Sequence, residues 1–199
     1  LAPARPAVTG GQEAAASGHA KAALEGFVRM AETVNERIGH AVSWCVLACV
    51  LVCFAVVALR YILGVGYVWM QELYVWQHAI VFMVGAGYTY QRNGHVRVDL
   101  LYANWSARTR AWVDLVGVFV ALLPWLAVLV WTSLAFVTNA WRLFEGSPQA
   151  GGMPGYFLLK TVIWVFAAVV GLQGLVVIAR CWLFLGGDEA YRPQVGQDD

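Results

Sequence analysis

Four stretches of the chain are nearly free of charge, and each is long enough to cross a bilayer. The first, about residues 41–63, carries one charge, Arg60, near its far end. The second, about 72–90, opens on Glu72 and holds His78 inside it. The third, about 110–142, has no charge from Leu115 to Trp141. The fourth, about 156–182, contains Lys160 near its start and Arg180 near its end, with no charge between them. A helix of ~20 residues spans the ~30 Å of hydrocarbon in a bilayer. The pattern therefore predicts an all-α membrane protein with four transmembrane helices, within a membrane domain over residues 41–185. Ser106 is a suitable N-cap for the third helix. Begun there and continued to Phe144, that helix is about 58 Å long at 1.5 Å per residue. Pro124 in its middle is expected to kink it. The stretch EGSPQAGGMPG, residues 145–155, has the composition of a turn-rich loop.

The flanks have a different pattern. Residues 1–18 are rich in Ala, Gly and Pro without periodicity, and read as a disordered tail. No apolar run of the secretory type precedes Ala20. From residue 19 to 40, Leu24, Phe27, Val28, Ala31, Val34 and Ile38 recur at helical spacing. Lys21, Glu25, Arg29, Glu32 and Glu36 fill much of the rest, with Glu25 and Arg29 a favourable i,i+4 pair. This predicts an amphipathic helix on the membrane surface, with a soluble extension of the first span as the alternative. Residues 186–199 form a C-terminal tail.

Basic residues set the expected orientation. Arg5, Lys21, Arg29 and Arg37 precede the first span, Arg92, Arg97, Arg108 and Arg110 follow the second, and Arg180 and Arg192 close the fourth. Arg60, Arg142 and Lys160 fall on the opposite side. Both termini are thus expected in the cytoplasm. The segment GHVRVDLLYANW, residues 94–105, then lies at the cytoplasmic interface. It is too polar for hydrocarbon and too apolar for a free loop. Asp99 can cap a short helix through Trp105 that lays Leu100, Leu101 and Trp105 into the lipid boundary, unless the segment is a plain connection. His95, Arg97, Asp99, Trp105, Arg108 and Arg110 are the candidate interfacial anchor. The arginines among them can meet anionic lipid headgroups at ~1 kcal/mol each.

Composition sharpens the class. The chain has 199 residues, 60% hydrophobic and 13% charged, with a mean hydropathy of +0.63. The net charge of +1 says little about partners, but the absence of a basic run or acidic tail speaks against nucleic acid. Cys45, Cys49 and Cys53 step by four along one helix face and Cys181 stands apart, so no C-x-x-C metal or redox motif arises. No Ser/His/Asp or Cys/His set suggests catalysis, and no cofactor is expected. His78 has no second histidine at matching depth, as a haem between helices would require.

The remaining candidate is polar. Arg60, Glu72, Arg142 and Lys160 share one side of the membrane. A carboxylate at the edge of a span costs energy unless it is paired or hydrated. The four are read as a structural cluster that fixes helix registry or as a surface that receives a partner. An ion-coupling site is less apt, because such sites sit in broken helices near the midplane. Three function classes stay open on these residues: an accessory scaffold, a membrane cytochrome or redox subunit, and a self-contained small transporter.

Residues 69–101, WMQELYVWQHAIVFMVGAGYTYQRNGHVRVDLL, resemble the small membrane subunit, the Q-type or DctQ-like component, of tripartite ATP-independent periplasmic (TRAP) transporters. Trp69, Glu72, Phe82, Gly85, His95, Val96, Val98 and Asp99 carry the likeness. Residues 145–175 add Ser147-Pro148, Pro154, Lys160 and Gln173-Gly174. The resemblance covers about residues 40–182. Gln71 and Trp164 depart from the common pattern, which bears on helix shape. The resemblance implies a bacterial cytoplasmic membrane protein. It implies two protein partners, a large multi-span permease subunit and a periplasmic solute-binding protein, beside the membrane lipids expected from the interfacial arginines. In such systems the binding protein captures an organic anion, the large subunit imports it on a sodium gradient, and the small subunit braces the large one. The substrate stays open among C4-dicarboxylates, other carboxylates and sugar acids.

Overall fold

The computed structural model describes residues 9–92, 94 and 104–193, with side chains from residue 18 onward. Its described residues form four long helices and no strand. We label them α1 (Thr9–Ile62), α2 (Val68–Gln91), α3 (Ala107–Arg142) and α4 (Tyr156–Leu185). A single 3₁₀ turn, Glu189–Tyr191, follows.

Contacts between the helices fix their directions. Along α1 and α2 the pairs are Glu36 with Arg92, Gly39 with Tyr88, Val42 with Gly85 and Cys49 with Tyr74. The numbers rise on one helix as they fall on the other, so the two are antiparallel. Trp76 and Gly87 of α2 meet Tyr156 and Val169 of α4, which makes those two parallel. Leu122, Trp125, Ser133 and Trp141 of α3 meet Gly174, Phe166, Trp164 and Thr161 of α4, an antiparallel run. The result is an up-down-up-down bundle in which α4 touches each of the other three helices.

Three of the helices are long and apolar enough to cross a membrane, counting α1 from Gly18. The helix outside that set is α2, which carries Gln71, Glu72, Gln77 and His78. Its 24 residues make it about 36 Å long, enough for a crossing, and it runs opposite to α1 and α3, the helices before and after it in the chain. It therefore spans between α1 and α4, with protein covering part of a surface that is too polar to face lipid all round.

The expected surface helix is not a separate element. Residues 19–40 continue without a break into the first span, and the helix begins at Thr9, inside the stretch read as disordered. No proline interrupts the run, and Gly39 is held within the helix by close packing on Tyr88. Part of the apolar stripe of this segment packs on protein, while Leu24 and Val34 stay exposed. Val28 and Ala31 are buried against Val176 and Ala179 of α4, flanked by Phe27, Leu172 and Tyr191. Since Asn35 and Glu36 sit level with Gln173 and Arg92, α2 stops there while α4 runs twelve residues further, about 18 Å. Beyond the end of α2 the described residues continue with α1, α4 and the first part of α3.

A second core cluster, Leu126, Ala167, Val169 and Val170, joins α3 to α4, with Ala86 and Tyr90 of α2 packed against it. Small residues allow the close approaches. A Cβ on Gly87 would lie 3.1 Å from the Val169 carbonyl oxygen, and one on Gly174 would lie 2.8 Å from Leu122 Cδ2. Pro124 leaves its mark just upstream. Residues Val118–Leu122 widen into a π-helical turn, with the Leu123 N–H bonded to the Val118 carbonyl. The wider turn accommodates the ring that would otherwise strike the carbonyl of the preceding turn.

Candidate functional site

The loop between α3 and α4 is built around Glu72. α3 closes as the Glu145 N–H reaches back 3.0 Å to the Ala140 carbonyl, with Phe144 at a positive φ of 44°. The chain then folds over the start of α2. The Ser147 N–H donates to the Met153 carbonyl at 3.1 Å, and the Gly152 N–H to the Gln149 carbonyl at 3.0 Å. Both oxygens of Glu72 are used. The Ser147 hydroxyl donates to Oε1, and the Met153 N–H donates to Oε2 at 2.6 Å. The Ser147 oxygen in turn accepts from the Gln149 N–H at 3.1 Å. Gly152 is required by this closure: a Cβ there would stand 2.7 Å from Glu72 Oε2 and collide with Ser147. Gly155, at φ 86°, turns the chain into α4.

Lys160 holds the same loop at its other end. Its Nζ lies 2.6 Å from Glu145 Oε2, and the lysine side chain is only 11% exposed. The ammonium also sits 4.0 Å from the centre of the Phe136 ring, a cation–π contact that strengthens where water is scarce. Trp141 stacks edge-on against Phe157 and donates to Thr161 Oγ1 at 2.8 Å, closing the helix ends around the loop.

The expected cluster of four is therefore split. Glu72 and Lys160 serve one loop from two sides but do not pair with each other. Arg60 and Arg142 are exposed and make no ion pair among the described residues. Span ends place all four at one end of the bundle; rotation of each helix then decides which of them meet. Reading by charge missed Glu145, Ser147 and the Met153 amide. Ser147 and the paired glycines at 151 and 152 were the available signal, because a carboxylate can be satisfied by loop hydroxyls and amides without any cation.

At the opposite end of the bundle, His95, Arg97 and Asp99 of the interfacial anchor lie outside the described residues, as does the short helix expected after Asp99. Trp105 is 37% exposed, and its carbonyl accepts from Arg110 Nε at 2.9 Å. Arg108 is exposed. Ser106 caps α3, its Oγ accepting from the Thr109 N–H at 3.2 Å.

The α1–α4 seam at this end carries polar contacts. Asn35 Nδ2 donates to Gln173 Oε1 at 2.9 Å, with both residues buried. Arg180 lies 2.5 Å from Glu32, and Lys21 lies 3.0 Å from Asp188. That last pair shifts both members: the hydrogen bond from Lys21 lowers the Asp188 carboxyl below its usual range, and the one to Asp188 raises the Lys21 ammonium. Among the described residues no group of three or more His, Cys, Asp or Glu side chains is placed to hold a metal.

A model of the DctQ component of tripartite ATP-independent periplasmic transporters matches residues 38–184. The chain belongs to that family. It is a membrane protein and a small component of a TRAP-type transporter. Comparisons with curated proteins and with solved structures yield no match. The matched range holds the Glu72 loop and all of α2 and α3. It leaves out the first part of α1, so Asn35 lies outside the match while its partner Gln173 lies inside it.

Proposed function

We propose that this chain is the scaffold subunit of a sodium-driven importer. It braces the large permease subunit while that subunit moves an organic anion delivered by a periplasmic binding protein. The protein sits in the bacterial cytoplasmic membrane with both termini in the cytoplasm, the side favoured by its basic residues. The observation that carries this reading is how the fully buried polar residues and Glu72 are used. Asn35, Ser133 and Gln173, the buried polar residues among those described, are engaged in helix contacts. Glu72 is committed to the α3–α4 loop. Groups spent on joining helices suit a rigid brace and not a solute path, which needs several oxygens converging at mid-depth.

The test is reconstitution. Liposomes holding this chain with its large subunit, supplied with the binding protein, should take up the organic anion on a sodium gradient. Liposomes holding this chain alone should not. Uptake by this chain alone would overturn the scaffold reading, and so would failure of a tagged chain to retain the large subunit in mild detergent.

A further inference from the structure

The surface of α2 divides into three. One side lies against α1 through Tyr74, Gly85 and Tyr88, and another lies against α4 through Trp76 and Gly87. The third is open. Val75 is 51% exposed and Phe82 is 71% exposed, with the exposed His78 between them at i, i+3, i+7 spacing. His78 is the eleventh of 24 residues, near the middle of the helix. Its imidazole makes no hydrogen bond among the described residues.

Other open faces of the bundle have a different character. Val50, Leu51 and Phe54 of α1 and Val120, Val128 and Trp131 of α3 are exposed and apolar, as suits lipid. Hydroxyls exposed on the spans bond to their own backbone: Ser43 to Gly39, Thr132 to Val128 and Thr138 to Leu134. The His78 imidazole makes no such bond to the preceding turn, and hydrocarbon offers no partner. Uncompensated polar groups at this depth are expensive, and ionisable residues within spans normally face other protein. The helix that carries it also falls outside the three that are apolar enough, by length and composition, to cross a membrane.

We infer that the Val75–His78–Phe82 stripe is the face on which the large permease subunit docks, with His78 hydrogen-bonded to a polar side chain or an open backbone carbonyl on one of that subunit's helices. The inference rests on the scaffold reading, since it takes the large subunit as the occupant. Phe82 fills an apolar gap beside the bond, and Val75 extends the seam towards the α3–α4 loop.

Photo-crosslinking in the assembled complex tests it. p-Benzoylphenylalanine placed at position 82 should cross-link to the large subunit, and the same probe at position 131 on α3 should not. His78→Leu, which keeps the bulk and removes the polar atoms, should lower retention of the large subunit about three- to thirtyfold, the range for an interhelical hydrogen bond. His78→Gln should restore part of it. Cross-links from position 131 but not 82, cross-links from 82 to a second copy of this chain or to lipid alone, or full retention by His78→Leu would each overturn the docking face. The readouts separate the two claims. A wild-type chain that holds the large subunit by another face leaves the scaffold reading intact, whereas one that never holds it ends both.

Discussion

Glu72→Ala removes the group on which the α3–α4 loop closes. Two donors lose their acceptor: the Ser147 hydroxyl, and the Met153 N–H, which lies 2.6 Å from Oε2. Hydrogen bonds to a charged group contribute about 1.5–3 kcal/mol each, so the pair sets an upper bound of about 3–6 kcal/mol. Glu72 is only half-buried, and water reaches the freed groups in part, so the expected loss is about 2–3 kcal/mol. The loss is local, because Lys160 still pins Glu145 and the trans-bundle contacts of α4 remain. Amide hydrogen exchange reads it directly. Protection of the Ser147 and Met153 amides should fall about thirty- to one-hundred-fold, at tenfold per 1.4 kcal/mol. Amides in the middle of α4 should be unaffected. Glu72→Gln keeps one acceptor and should lose about half as much. A Ser147→Ala background should blunt the effect of Glu72→Ala, since the two share one network. Unchanged loop protection in Glu72→Ala, or a loss spread evenly over the bundle, would refute the account of Glu72 as the anchor of this loop.

Asn35→Leu should destabilise the bundle by about 1–3 kcal/mol by stranding the buried Gln173 amide, and Asn35→Leu combined with Gln173→Leu should recover much of that; detergent thermal stability followed by size exclusion checks both. Gly39→Ala should cost about 1–3 kcal/mol through collision with Tyr88, with recovery when Tyr88 is also made Ala, in the same assay. The Lys21–Asp188 contact depends on pH at both ends. Asp188 has a lowered folded value, so its contribution is present above the ordinary value of 3.8 and is lost as pH falls through the folded one. Lys21 has a raised folded value, so its contribution is present below 10.5 and is lost as pH rises through the folded one. Spin labels at Gly18 and Glu189 in a cysteine-free background should therefore stay close across neutral pH and separate at both extremes; a distance that ignores acid would contradict this.

The chain alone determines where helices cross the membrane, because hydrocarbon imposes a simple demand of length and apolarity that each segment meets or fails by itself. α1, α3 and α4 meet it openly. α2 could be placed from its sequence as a crossing helix, yet its polar residues need protein neighbours that no local window contains. Family membership was legible for the same reason, in Trp69, Glu72, Ser147-Pro148 and Lys160, whose identity and spacing are properties of the chain. Rotation and partnership were not. Glu72 stands at the same end as three cations, and only the packed bundle turns it towards Ser147 and the Met153 amide. The stripe of Val28 and Ala31 is equally suited to a membrane surface and to a neighbouring helix, and only the reach of α4 beyond α2 decides for the helix. Such choices are settled by many weak contacts between segments far apart in sequence, so they exist in the tertiary structure before they can be read anywhere else.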